Sequence, residues 1–115
     1  MERQLGLDYH IDIQLYPMGH DWVFLISGGR AHIGAVATAY PAKKEMLMQT
    51  VTIPGHREDR LATEIAEVAA SLLNRTVTVV MGIHLEDATK KEIADIVEGV
   101  QQRMKETIAN MRQTS

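Results

Sequence analysis

Between Tyr9 and Tyr16 apolar and polar residues alternate strictly, with Tyr9, Ile11, Ile13 and Leu15 on one side and His10, Asp12 and Gln14 on the other. Successive side chains of a strand point to opposite faces, so this period of two predicts a half-buried β-strand whose polar face meets water. Pro17-Met18-Gly19-His20-Asp21 carries turn chemistry, and the continuous apolar run from Trp22 to Ile26 predicts a second, central strand paired with the first as an antiparallel hairpin. Ser27-Gly28-Gly29 breaks the pattern before small and β-branched residues resume it from Ala35 to Tyr40 as a third strand. After the turn signal Pro41-Ala42-Lys43-Lys44, a fourth strand sets Leu47, Gln49, Val51 and Ile53 against Met46, Met48, Thr50 and Thr52, and ends at Pro54-Gly55.

The period then changes. From Asp59 to Asn74, Leu61, Ile65, Val68, Ala69, Leu72 and Leu73 follow helical spacing. Thr76 to Ile83 is valine-rich, too short for a typical helix, and reads as a fifth strand ending at His84. Thr89 with Glu92 three residues later forms a capping-box pattern, which opens a second helix with Ile93, Ile96, Val97, Val100, Met104, Ile108 and Met111 in one stripe. The order ββββαβα lacks the alternation of a doubly wound fold. It predicts one α+β domain over residues 1–115, a two-layer sandwich of a mainly antiparallel five-stranded sheet with two helices on one face. A second strand and a fifth strand apolar on both sides leave a face or an edge for a partner copy, so a homodimer is expected.

Composition narrows the class. A hydrophobic share of 45% with 23% charged residues is that of a globular chain, and the lack of cysteine excludes disulfides, thiolate zinc sites and a cysteine nucleophile, which fits the cytoplasm. No apolar run is long enough to span a membrane, and a formal charge of -3 with scattered Lys and Arg offers no field for nucleic acid.

Candidate chemistry lies where elements end. His32 follows the glycine pair, His56 precedes the first helix, and His84 closes the fifth strand, whereas His10 and His20 read as surface residues. If the three converge, their imidazoles suit either a divalent metal or a phosphate, and spacing alone does not choose. Gly28, Gly29 and Gly34 let backbone N–H groups approach an anion, or simply turn the chain. Arg57 and Arg60 at the start of the first helix suit a phosphate, with Glu58 and Asp59 arguing partly against it as acids that complement the helix dipole. A metal-dependent lyase or hydrolase using His32, His56 and His84, with Glu86 or Asp87 as acid–base group, is one rival reading. A structural subunit that binds another protein and no cofactor at all is another.

Taken in order, G-G-R-A-H-I-G, P-G-H-R-E-D and M-G-I-H-L-E-D-A-T-K resemble the landmarks of the LpdD-like family, from about Tyr9 to about Val100. The resemblance implies a chaperone, not an enzyme, that binds prenylated flavin mononucleotide made by a flavin prenyltransferase and delivers it to an apo UbiD-type decarboxylase. The positions that match are Gly28, Gly29, His32, Ile33, Gly34, His56, Arg57, Gly82, Ile83 and His84, and Arg30 and Ala31 depart from the pattern. On this reading Gly28, Gly29, His32, Gly34, His56, Arg57, Arg60 and His84 hold the flavin nucleotide, with a metal ion at His32, His56 and His84 to bridge its phosphate. The family is also similar in architecture to the dimeric proteasome-assembling chaperones. With 4% aromatic residues the ring system has few stacking partners, and Trp22, Tyr40 or a methionine are the candidates.

Overall fold

A computed structural model of the chain describes residues 11–55, 58–84 and 87–114. Its elements are β1 (Asp12–Met18), β2 (Asp21–Gly29), β3 (Ala35–Ala42), β4 (Glu45–Thr52), α1 (Asp59–Leu73), β5 (Val77–His84) and α2 (Lys90–Thr114). These are the expected elements in the expected order. Tyr9 and His10 lie outside the described residues. β2 runs on through Ser27-Gly28-Gly29, and the β3–β4 turn tightens to Lys43-Lys44, with Lys43 at a φ of 58°.

The strands form one sheet in the order β1-β2-β5-β3-β4, so the centre is β5 and not β2. The sheet is mixed rather than purely antiparallel. Pairing is antiparallel at β1–β2, β5–β3 and β3–β4, but β2 and β5 run parallel. Two antiparallel hairpins flank the last strand, which enters between them after α1 and runs with β2 and against β3. The parallel pairing sets Gly28 opposite Ile83 and Gly29 opposite His84. An antiparallel pairing would have sent His84 toward the other end of β2.

The pleat separates two faces. On one, Phe24, Ile26, Ala37, Val77, Val79 and Met81 are all at most 1% exposed. α1 packs over β3, β5 and β4, and the Thr50 and Thr63 hydroxyls meet at 2.6 Å. The buried seam of α1 is Ala62, Ile65, Ala66, Ala69 and Ala70, whereas Val68 and Leu72, expected inside, are 47% and 45% exposed. Alanines on the helix face Ala35, Ala37 and Ala39 of β3, all buried, and small side chains let the two backbones approach closely, so the alanine stripe outcompetes the bulkier one. α2 adds Ile96, Val100, Met104 and Ile108 to the same core, and its Arg103 guanidinium donates to the Ile11 carbonyl beside β1. On the opposite sheet face Leu25, Val36 and Val80 are half-buried, and Leu47 and Val51 are 39% and 60% exposed.

The capping box at α2 forms in full. The Thr89 N–H donates to Glu92 Oε1 at 2.8 Å, and the Glu92 N–H donates to Thr89 Oγ1 at 3.0 Å. The Thr89 backbone N–H, and then its hydroxyl, hold the Glu92 carboxyl below the usual carboxylate range. A carboxyl with a depressed folded pKa contributes stability above its unfolded value and loses it as pH falls through the folded one. Thr89→Ala is expected to lower stability by about 1 kcal/mol, read by urea denaturation. Part of that difference should vanish once Glu92 is protonated in both proteins, and an equal loss at acid pH would contradict this pairing.

Candidate functional site

The parallel β2–β5 pair brings two strand C-termini to one end of the sheet, a usual place for a site to be built. Beyond Gly29, whose φ of 63° turns the chain, the Arg30 N–H donates to the His84 carbonyl at 3.1 Å. The β2–β3 loop then crosses over β5 at Gly82. A Cβ on Gly82 would stand 1.8 Å from the His32 carbonyl oxygen, so only glycine lets the loop pass there. The Gly34 N–H donates to the Met81 carbonyl at 2.8 Å, and the Ile53 N–H to the Gly34 carbonyl at 2.9 Å, which stitches the loop back into the sheet.

This crossing sets the His32 ring beside the His84 ring, with centroids 6.2 Å apart and planes at 82°. His32 is half-buried and His84 exposed. His32 Nδ1 lies 3.0 Å from the Arg30 carbonyl oxygen, and Nε2 lies 3.0 Å from Glu58 Oε2. A carbonyl and a carboxylate are both acceptors, so the ring satisfies both when each nitrogen carries a hydrogen.

Glu58 is the residue that reading the sequence missed. Acids at a helix start ordinarily complement the helix dipole, and its carboxylate was expected to work against an anion site. At the N-cap of α1 its side chain makes no capping hydrogen bond. It reaches instead to the end of β5, where Oε2 accepts the Ile83 N–H at 3.0 Å. The pairing of β5 with β3 ends at Met81 and Ala35, so the carboxylate serves a strand N–H beyond the ladder. Gly34 leaves room for it, because a Cβ there would lie 2.6 Å from Glu58 Oε2. The only signal in the sequence was the acid directly after His56-Arg57 in P-G-H-R-E-D, which spacing alone cannot tie to His32.

The structure thus gathers Gly28, Gly29, His32, Gly34 and His84 at one end of the sheet and adds Glu58. His56 and Arg57 lie outside the described residues, as does Glu86. Arg60 is exposed on the first turn of α1, and no hydrogen bond among the described residues ties it to the cluster. His20 is exposed, as expected. The expected metal ion gains no support: among the described residues no group of three His, Asp or Glu side chains is placed to hold one. Both ring nitrogens of His32 lie against protein oxygens, those of the Arg30 carbonyl and the Glu58 carboxylate.

Trp22 and Tyr40, candidates for stacking a ring, belong to the other end of the sheet. Trp22 pairs with Val77 at the start of β5, seven residues before the Gly29–His84 pair and about 23 Å along the strand. Tyr40 lies beyond the Ala39–Val77 pair at the same end. Trp22 lines a groove there with His20, Leu73, Arg75 and Met111. Another groove runs between α1 and α2, lined by Ile65, Val68, Met104 and Ile108 with Glu64 and Lys105 at its rim. Neither groove includes His32 or His84. Among the described residues no helix is long and apolar enough to cross a membrane.

Chemically, the cluster offers the His32 imidazole and the Ile83 N–H, both turned to the Glu58 carboxylate, with the His84 ring beside them, while the Arg30 and Gly34 N–H groups are taken by carbonyls. Residues 6–112 match the family described as the prenylated flavin chaperone LpdD-like domain. No curated protein matches the chain.

Proposed function

Because the chain belongs to the LpdD-like family of prenylated flavin chaperones, we propose that it carries prenylated flavin mononucleotide with the phosphate at the His32–His84 end of the sheet and delivers it to a UbiD-type decarboxylase. The observation that carries this reading is the meeting of residues far apart in sequence, Gly28 and Gly29, His32, Gly34 and His84, at the C-terminal ends of two parallel strands. The His32 ring, fixed by the stitched loop, and the Ile83 N–H at the end of β5 are preorganised for an anion and need little ordering when it arrives. His56, Arg57 and Arg60 complete the phosphate site in this proposal, since they lead into the helix that starts beside it.

The ring system needs a partly apolar slot, and the nearest large apolar surface is the sheet face opposite α1. Gly82 and His84 lie on that face, in alternation with Thr78 and Val80 of β5, and Leu25 and Val36 flank Val80 on the neighbouring strands. Both helices cover the other face in this reading, since the buried residues of each join one core. The uncovered face then pairs with a second copy, and the flavin ring lies at the rim of that homodimer. The site is reachable from solvent at the exposed His84, as a carrier that loads and releases its cargo in the cytoplasm requires.

Co-expression with a flavin prenyltransferase tests the proposal. The purified protein is expected to be coloured, with a native mass that includes one prenylated flavin mononucleotide per site, and to restore activity when mixed with an apo-decarboxylase. A colourless protein without added mass, or a bound flavin that never reaches the apo-enzyme, would count against holding or delivery respectively.

A further inference from the structure

If His32 grips a phosphate, it must first give up a partner. Its Nδ1 is turned to the Arg30 carbonyl, and that main chain is itself fixed because the Arg30 N–H donates to the His84 carbonyl at 3.1 Å. Its Nε2 is turned to Glu58 Oε2 at 3.0 Å, and the same oxygen takes the Ile83 N–H at 3.0 Å. A strand-end N–H and an imidazole N–H converging on one anionic oxygen is the geometry a phosphate oxygen seeks. Here a side chain of the protein occupies it. Glu58 is attached by rotatable bonds, whereas the Arg30 carbonyl belongs to the backbone, so Glu58 is the partner able to leave.

We propose that Glu58 is a built-in competitor of the cargo: its carboxylate and the flavin phosphate take the His32 Nε2 and Ile83 N–H donors by turns, and its return drives release. This rests on the reading that the site takes the phosphate of a flavin nucleotide. The carboxylate supplies what a carrier requires, a means of lowering affinity that does not depend on unfolding. It keeps the donors satisfied when no phosphate holds them, where unmet buried donors would cost stability. It also repels an arriving phosphate, so binding is tuned below what the donors alone would give. The side chain of Glu58 is 13% exposed, enclosed enough for its charge to be felt and still in reach of water. The glycine at position 34 gives this competitor its seat, since a Cβ there would stand 2.6 Å from Oε2.

The test compares wild type, Glu58→Gln and Glu58→Ala for binding of flavin mononucleotide and of riboflavin, which lacks the phosphate, by fluorescence quenching and stopped-flow dissociation. Glu58→Gln keeps the shape and a neutral acceptor but removes the charge. It is expected to bind flavin mononucleotide roughly tenfold more tightly, mostly through slower dissociation, because a like charge near the phosphate is gone. Riboflavin affinity is expected to stay at the wild-type value. Glu58→Ala should move in the same direction, and Glu58→Gln decides the matter if the alanine variant folds poorly. Wild type that binds flavin mononucleotide while Glu58→Gln binds it equally or more weakly overturns the competitor role and leaves the carrier role standing. No binding of flavin mononucleotide or of prenylated flavin mononucleotide by any of the three proteins overturns both.

Discussion

Gly82→Ala is expected to lower stability by about 3 kcal/mol, and Tm by roughly 12 °C, with loss of flavin binding. The added Cβ meets no flexible side chain that can swing away; it stands 1.8 Å from the His32 carbonyl oxygen and 2.5 Å from its carbon, both main chain. Either β5 shifts or the β2–β3 loop lifts off. A lifted loop strains what the crossing provides, namely the Gly34–Met81 and Arg30–His84 hydrogen bonds and the His32–Glu58 contact. Gly55→Ala is the control, because its φ of 86° makes alanine strained while no atom lies within 4 Å of the new Cβ. It is expected to cost about 1 kcal/mol through backbone strain alone, with flavin binding intact. Thermal melts read by circular dichroism, with flavin titration of each variant, check both effects. A Gly82→Ala protein that melts with the wild type would show that the loop does not cross the strand there.

Val80→Glu is expected to split the proposed homodimer while leaving the protomer folded. Val80 lies on the sheet face opposite α1, on the central strand, with Leu25 and Val36 paired on either side of it. Being half-buried, it leaves a glutamate side chain a route to water in an isolated protomer. Between two copies, each protomer would bury an unpaired carboxylate, at a cost of about 3 kcal/mol or more, which raises the dimer dissociation constant at least roughly 100-fold. Native mass spectrometry is expected to give wild type at twice the 12.8 kDa of the chain and the variant at the single mass. A wild type that stays at the single mass at micromolar concentration would rule out this face as a stable interface. A Val80→Glu dimer would move the interface elsewhere.

Much of the fold was legible because local pattern and tertiary position agree over most of the chain. Ile13 and Leu15 turn inward while Asp12 and Gln14 are exposed, as a period of two requires. Thr89 and Glu92 form the cap that their spacing announces. The misreadings share one cause, which is competition that only neighbours resolve. Hydrophobicity alone favoured Val68 and Leu72 for the buried side of α1, but the alanines of β3 reward close approach and the alanine seam is the one enclosed. Gly28 and Gly29 read as a break, yet β5 supplies them with a parallel partner and keeps them in the sheet.

The candidate site was legible only as a set of residue types at element ends. His32, His84 and the glycines stood out because histidine and glycine at strand ends carry recognisable chemistry and conformational freedom. Glu58 did not, since an acid at a helix start has an ordinary explanation in the helix dipole, and its partners are 26 and 25 residues away in sequence. The family motifs ordered these residues along the chain without saying which of them touch.

By itself, the sequence determined the strands, the helices, their order and the family, because hydrophobic period, capping chemistry and motif order are local properties written along the chain. Tertiary structure alone decided that β5 inserts beside β2 in parallel, that the β2–β3 loop crosses at Gly82, and that Glu58 takes the donors of His32 and Ile83. Strand direction and side-chain partnership depend on which distant segments lower the free energy by packing together, and a one-dimensional pattern holds no distance between them.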